Sequence, residues 1–105
     1  MAPFRILLMD KEVYIKIEGR VQGIGFRWWA IHKAEEISGI SGWVRNAADG
    51  SVEILMRGDE EKIDAMVLAC HKGPPLARVD RVSFIVGRIS SWLPPIEDGK
   101  FVRCY

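Results

Sequence analysis

An α+β sandwich, built in the order strand, helix, strand, strand, helix, strand with one short strand appended, is the fold class this sequence predicts. Three observations predict it. Val13-Tyr14-Ile15-Lys16-Ile17-Glu18 alternates apolar and polar side chains at the strand period of two, while Phe26, Ala30, Ala34 and Ile37 recur at helical spacing. Asp49-Gly50 lies between two segments of strand composition, a hairpin signal rooted in turn chemistry. A second helical stripe of Ile63, Met66, Val67 and Cys70 follows that hairpin and precedes another strand-like run.

The first strand passes into the first helix through GRVQGIGFR, residues 19–27. Gly19, Gly23 and Gly25 supply positions where positive φ is inexpensive and backbone can approach a ligand closely. The hairpin arms are Gly42-Trp43-Val44-Arg45-Asn46 and Ser51-Val52-Glu53-Ile54-Leu55-Met56. Asp59 offers a cap to the second helix, and Glu60 and Glu61 suit its first turn. Lys72-Gly73-Pro74-Pro75 closes that helix. Arg78–Val86 reads as a strand of imperfect alternation, and Phe101-Val102-Arg103 as a last short one. Runs of strands with two helices place both helices on one sheet face. Split βαβ units of this kind form a ferredoxin-like βαββαβ sandwich, with an antiparallel sheet and a short extra edge strand. The first strand and the second hairpin strand lie centrally in it.

A length of 105 residues fits one domain that folds without covalent staples. Residues 11–105 form the expected domain, and residues 1–10 an N-terminal extension, read as a tail or a short added strand. The apolar Phe4–Met9 run is too short for a signal-peptide core, and no run reaches the ~18–20 residues that span a bilayer. A net charge of +1 with intermixed signs leaves no electrostatic footprint for nucleic acid or anionic lipid. Cys70 and Cys104 fit neither a disulfide framework nor a zinc site, which points to the cytoplasm. Cys70 falls on a helical apolar stripe as a small buried hydrophobe.

The glycine-spaced loop ending at a helix start looks built for an anion, because unpaired N–H donors and partial positive charge converge there. Arg27 has two readings at this point. A cation in the first helical turn opposes the helix dipole, a conflict that a bound phosphate would remove through the planar guanidinium fork; a solvated arginine on a helix shoulder is the other reading. Asn46 likewise either caps its own turn or offers an amide that holds a neutral water without taking its proton.

Other conspicuous residues have plainer readings. Trp29 falls at the edge of the buried stripe and packs, while Trp28 points nearly opposite, either to line a hydrophobic mouth or to cover surface. Trp43 fills core and Trp92 anchors the late loop beside Pro94-Pro95. His32 and His71 face solvent and lack partners at metal-ligand spacing. Ser51 has no adjacent histidine to activate it as a nucleophile.

In order and spacing, GRVQGIGFR, GWVRN and DGSVE, with the weaker Gly73-Pro74 and Ala77-Arg78-Val79, resemble the acylphosphatases from about Val13 to Phe84. That resemblance implies hydrolysis of the carboxyl-phosphate bond of small-molecule acyl phosphates; a reaction without metal or cofactor, carried out by a monomer, is the accompanying expectation. It implies that Arg27 is the phosphate-binding catalytic arginine and that Asn46 positions the attacking water. Backbone N–H groups of Gln22, Gly23, Ile24, Gly25 and Phe26 would join Arg27 in holding the phosphate. The loop and Asn46 are then expected to face each other across a small cleft. An anion-binding module without turnover keeps the same loop. An RNA-binding sheet is disfavoured, since Tyr14 is the only aromatic in the two central strands.

Overall fold

The computed structural model describes residues 10–87 and 93–104. The expectations for residues 1–9 and for Trp92 lie outside the described residues. The elements are β1 Asp10–Arg20, α1 Phe26–Ile37, β2 Ser41–Asn46, β3 Val52–Asp59, α2 Glu60–Lys72, β4 Arg78–Val86 and β5 Phe101–Arg103. They form one five-stranded sheet in the order β4-β1-β3-β2-β5. The first four strands pair antiparallel, and β5 adds to β2 in parallel. The appended strand therefore makes the sheet mixed, a direction that its three residues leave unspecified in sequence.

Period-two alternation explains the layers. Val13, Ile15, Ile17, Val44, Ile54 and Met56 share one sheet face and are buried beneath α1 and α2 with Phe26, Ala30, Ala34, Ile63, Met66 and Cys70. Full burial of such an aliphatic side chain stabilises by about 1.5–3 kcal/mol, so this face is the main source of cohesion. Desolvation pushes the Cys70 thiol up to about 12, as expected for a cysteine that acts as a hydrophobe.

The opposite sheet face has a smaller core of its own. Trp43 and Leu55 are buried there against Tyr14, Leu93, Ile96 and Cys104. The indole Nε1–H of Trp43 donates to the Pro94 carbonyl at 2.8 Å, fastening the late segment across the sheet. Trp43 thus fills core on the side away from the helices. Beside it, the Glu53 carboxylate accepts from Tyr14 Oη at 2.5 Å and from Arg45 Nε at 2.8 Å. Burial, then the bond to Glu53, raises the Tyr14 phenol above its ordinary range.

Strand direction positions everything at one end. Both β1 and β2 run antiparallel to β3, so their C-terminal ends emerge together. Across that end, Val52 pairs with Ile17 on one side and with Asn46 on the other. The register of β1 against β4 shifts between Glu18 and Gly19. A side chain at Gly19 would place its Cβ 2.2 Å from the Arg78 carbonyl oxygen, so only glycine allows this close approach as β1 turns into the loop.

Candidate active site

The loop after β1 and the last residue of β2 enclose a pocket of about 80 Å³. Arg27 and Asn46 line it together with Gly23, Gly25 and Phe26. Its volume is far below the roughly 300–1,000 Å³ that engulfs a drug-sized ligand, so it suits a small headgroup with the remainder of the ligand outside. Larger hollows of about 540 and 850 Å³ lie at the other end of the sheet. Asp10, Glu12, Asp59, Glu60 and Asp98 border those hollows beside Lys11, Arg57 and Lys62, so carboxylates outnumber cations in their lining.

The pocket floor is the start of α1. Gly25 precedes the helix at φ 81° and ψ 19°, a left-handed conformation that glycine adopts without a Cβ penalty. No side chain caps this end, and the first turn holds no acidic residue. The first helical hydrogen bond runs from Trp29 N–H to the Gly25 carbonyl at 2.9 Å. The N–H groups of Gly25, Phe26, Arg27 and Trp28 consequently have no acceptor within the helix.

The side chains of Arg27 and Asn46 are both partly exposed, and neither has a hydrogen-bond or ionic partner among the described residues. This separates the two readings of Asn46. The turn that Asn46 would cap is held by Asp49 instead, whose Oδ1 accepts from the Ser51 N–H at 3.0 Å and the Ser51 hydroxyl at 2.6 Å. Lys16 Nζ meets the other Asp49 oxygen at 2.6 Å. The bond from Lys16, followed by those from Ser51, holds the Asp49 carboxyl well below the usual carboxylate range. Ser51 is buried with its hydroxyl engaged, and it does not line the pocket.

Two residues of the loop face elsewhere. Ile24 packs against the main core. The Gln22 amide spans to the β2–β3 connection, donating to the Ala47 carbonyl at 2.8 Å and the Ser51 carbonyl at 2.9 Å. Neither side chain lines the pocket, so any contact they make with an anion falls to their backbone N–H groups.

The wall also contains Val21 and Arg103, which sequence reasoning did not assign to a site, and Trp28, whose two readings were a hydrophobic mouth and a surface cover. Trp28 is 61% exposed, stacked on His32 with ring centroids 3.9 Å apart, and stands at the rim. Trp29 instead packs edge-on against Phe26, with centroids 5.2 Å apart. Arg103 arrives because β5 runs parallel to β2, pairing Arg103 with Val44 and bringing its C-terminal end to the same side. Two guanidinium groups, one side-chain amide and an uncapped helix start therefore surround a space that no carboxylate lines among the described residues. Donors of this kind can hold an anion with several oxygens.

His32 and His71 are exposed, and each ring Nδ1 contacts the carbonyl four residues earlier on its own helix. Among the described residues no three His, Cys, Asp or Glu side chains converge as a metal site, and no helix is long and apolar enough to cross a membrane.

Known proteins of similar fold and sequence give the pocket its context. The acylphosphatase family model matches residues 13–90. An acylphosphatase of Thermococcus kodakarensis is 51% identical over 69 residues, covering 66% of this chain and 75% of the relative. One from Acidiphilium cryptum is 46% identical over 90 residues, covering 86% of this chain and 91% of the relative. The crystal structure of acylphosphatase from Bacillus subtilis superposes with a TM-score of 0.78 at 33% identity, covering 90% of this chain and 99% of that one.

Proposed function

The chain belongs to the acylphosphatase family, and from that membership we propose that its 80 Å³ pocket hydrolyses acyl phosphates through Arg27 and Asn46, without a metal. The observation that carries this reading is the presence, at an uncapped helix start, of a guanidinium and an amide that have no partner among the described residues. Arg27 binds two phosphoryl oxygens through its planar fork, and the N–H groups from Gln22 to Phe26 hold the third. The helix start adds partial positive charge at the same point.

Asn46 orients a water in line with the departing oxygen. The water oxygen forms a bond to phosphorus as the phosphorus–acyl oxygen bond breaks, and the electron pair leaves with the carboxylate. A carboxylate is a good leaving group, so no strong general acid is needed, and catalysis consists of positioning and charge stabilisation. Among the described residues no carboxylate or imidazole lines the pocket, so the water's proton passes to a phosphoryl oxygen. The acyl group lies outside the small pocket, toward Trp28, and the single chain is the working unit.

Hydrolysis of benzoyl phosphate with chelator present tests the assignment. Rapid turnover by the wild type is expected, with Arg27→Ala losing about 10³–10⁵ in rate, the scale of charge-stabilising arginines in phosphoryl transfer. Turnover above about a tenth of wild type in that variant would sink the role of Arg27, since an arginine on which transition-state charge depends is not so dispensable. Phosphate binding by a folded wild type that shows no turnover would make the chain an anion-binding module. Asn46→Ala is expected to lower kcat by about 10²-fold while the inhibition constant for phosphate stays nearly unchanged. A loss of phosphate affinity as large as the loss of kcat would refute its water-orienting role.

A further inference from the structure

We infer that Gln22 is a positioning residue: its side-chain amide ties the phosphate loop to the segment that carries Asn46, and so sets where the attacking water sits relative to the phosphate. The inference rests on the proposed function above.

Gln22 lies between Val21 and Gly23, both of which line the pocket. Its two N–H donors reach the Ala47 carbonyl at 2.8 Å and the Ser51 carbonyl at 2.9 Å, across 25 and 29 residues of chain. Ala47 directly follows Asn46, so the peptide that ends at the Ala47 carbonyl begins one residue beyond the catalytic amide. Ser51 is 2% exposed and held by Asp49, which makes its carbonyl a fixed anchor. One planar amide thus bolts the anion loop to the Asn46 strand end at two points. Arg27 and Asn46 lie on separate elements, and no hydrogen bond joins their side chains.

The bond pattern also shows that this tie is separable from folding. Without Gln22, the Ser51 carbonyl still accepts from the Ala47 N–H at 2.9 Å, and the Ala47 carbonyl from the Gly50 N–H at 3.2 Å. Neither carbonyl is orphaned, so the large penalty of an unsatisfied buried acceptor does not arise. What changes is the freedom of the loop to shift against Asn46. Displacements near 1 Å, caused by residues that do not touch the reacting atoms, cost up to about 10²-fold in rate.

The test is Gln22→Met, which keeps the side-chain length and removes both donors. In benzoyl phosphate hydrolysis, kcat is expected to fall by about tenfold or more, with KM and the phosphate inhibition constant within about threefold of wild type. That split is a weaker copy of the Asn46→Ala effect. Independently of turnover, the ¹⁵N-labelled side-chain amide of Asn46 is expected to shift or broaden in the Gln22→Met spectrum. Wild-type kcat in the variant would overturn the inference. So would a phosphate inhibition constant that weakens as much as kcat, since Gln22 would then act on the anion and not on the water. An unmoved Asn46 amide would overturn it too. Failure of the wild type to turn over would be read separately, as failure of the proposed function.

Discussion

The two helices of this chain begin in opposite ways, and the contrast separates structure from function. At α2, Asp59 accepts the Glu61 N–H at 2.9 Å, Glu60 and Glu61 occupy the first turn, and His71 and Lys72 the last. The acidic first turn and basic last turn complement the dipole, and Asp59 satisfies one orphan donor. At α1, Gly25 provides no side-chain cap, no acidic residue stands in the first turn, and no basic residue in the last. Arg27 occupies the second helical position, the same place that Glu61 holds in α2. One end is finished by its own side chains, and the other leaves its donors uncapped and a cation without a partner among the described residues.

Sheet topology keeps the two ends apart. α1 starts where β1 ends, beside Asn46, whereas α2 starts where β3 ends, at the level where Asp59 pairs with Asp10. The completed end therefore belongs to the scaffold side of the molecule, and the incomplete end to the pocket. Altering either should move one property while leaving the other nearly untouched.

The largest expected effect comes from giving α1 the charge pattern of α2. Arg27→Glu is expected to lose activity at least as completely as removal of the arginine, about 10³–10⁵-fold. An acidic residue near the helix start stabilises by about 0.3–1 kcal/mol, so the same variant should unfold at an equal or slightly higher urea midpoint. Phosphate separates the two forms further. A ligand that binds only the folded state at 100 times its Kd stabilises by about 2.7 kcal/mol, so phosphate should raise the Tm of the wild type and leave that of Arg27→Glu unchanged. Equal thermal shifts in both proteins would mean that Arg27 is a shoulder residue and that the asymmetry between the helices has no functional content.

How much of this was legible in the chain depends on sequence distance. Arg27 and its glycines lie within nine residues, and the strand-to-helix change around them is written in local periodicity, so the loop's place between β1 and α1 could be read directly. Asn46 could be placed at a strand end, but its free amide became evident only once Asp49 was seen to hold the turn. The tie made by Gln22 depends on carbonyls 25 and 29 residues away, which no local pattern reports. Arg103 reaches the pocket only through the parallel pairing of β5 with β2, and three residues do not specify a direction. The second core was hidden for a related reason. Leu93 and Ile96 flank two prolines without periodicity, and their packing on Trp43 follows from topology.

The smallest expected effect lies at the finished end. Asp59→Ala removes the side chain that satisfies the Glu61 N–H and leaves the acidic pair of the first turn in place. Loss of such a cap costs about 0.5–2 kcal/mol, a drop of several degrees in Tm for a domain of this size. Asp59 has no contact with the pocket, and its strand carries it to the far end of the sheet, so kcat on benzoyl phosphate should stay within about twofold of wild type. Thermal unfolding and initial rates on the same preparation check both halves. If Asp59→Ala lowered kcat as steeply as stability, the ends would be coupled through the sheet, and the pocket would depend on the whole scaffold's rigidity. A stability loss alone would mean that capping and catalysis are separate uses of the same backbone feature, assigned to different helices by the presence or absence of one carboxylate.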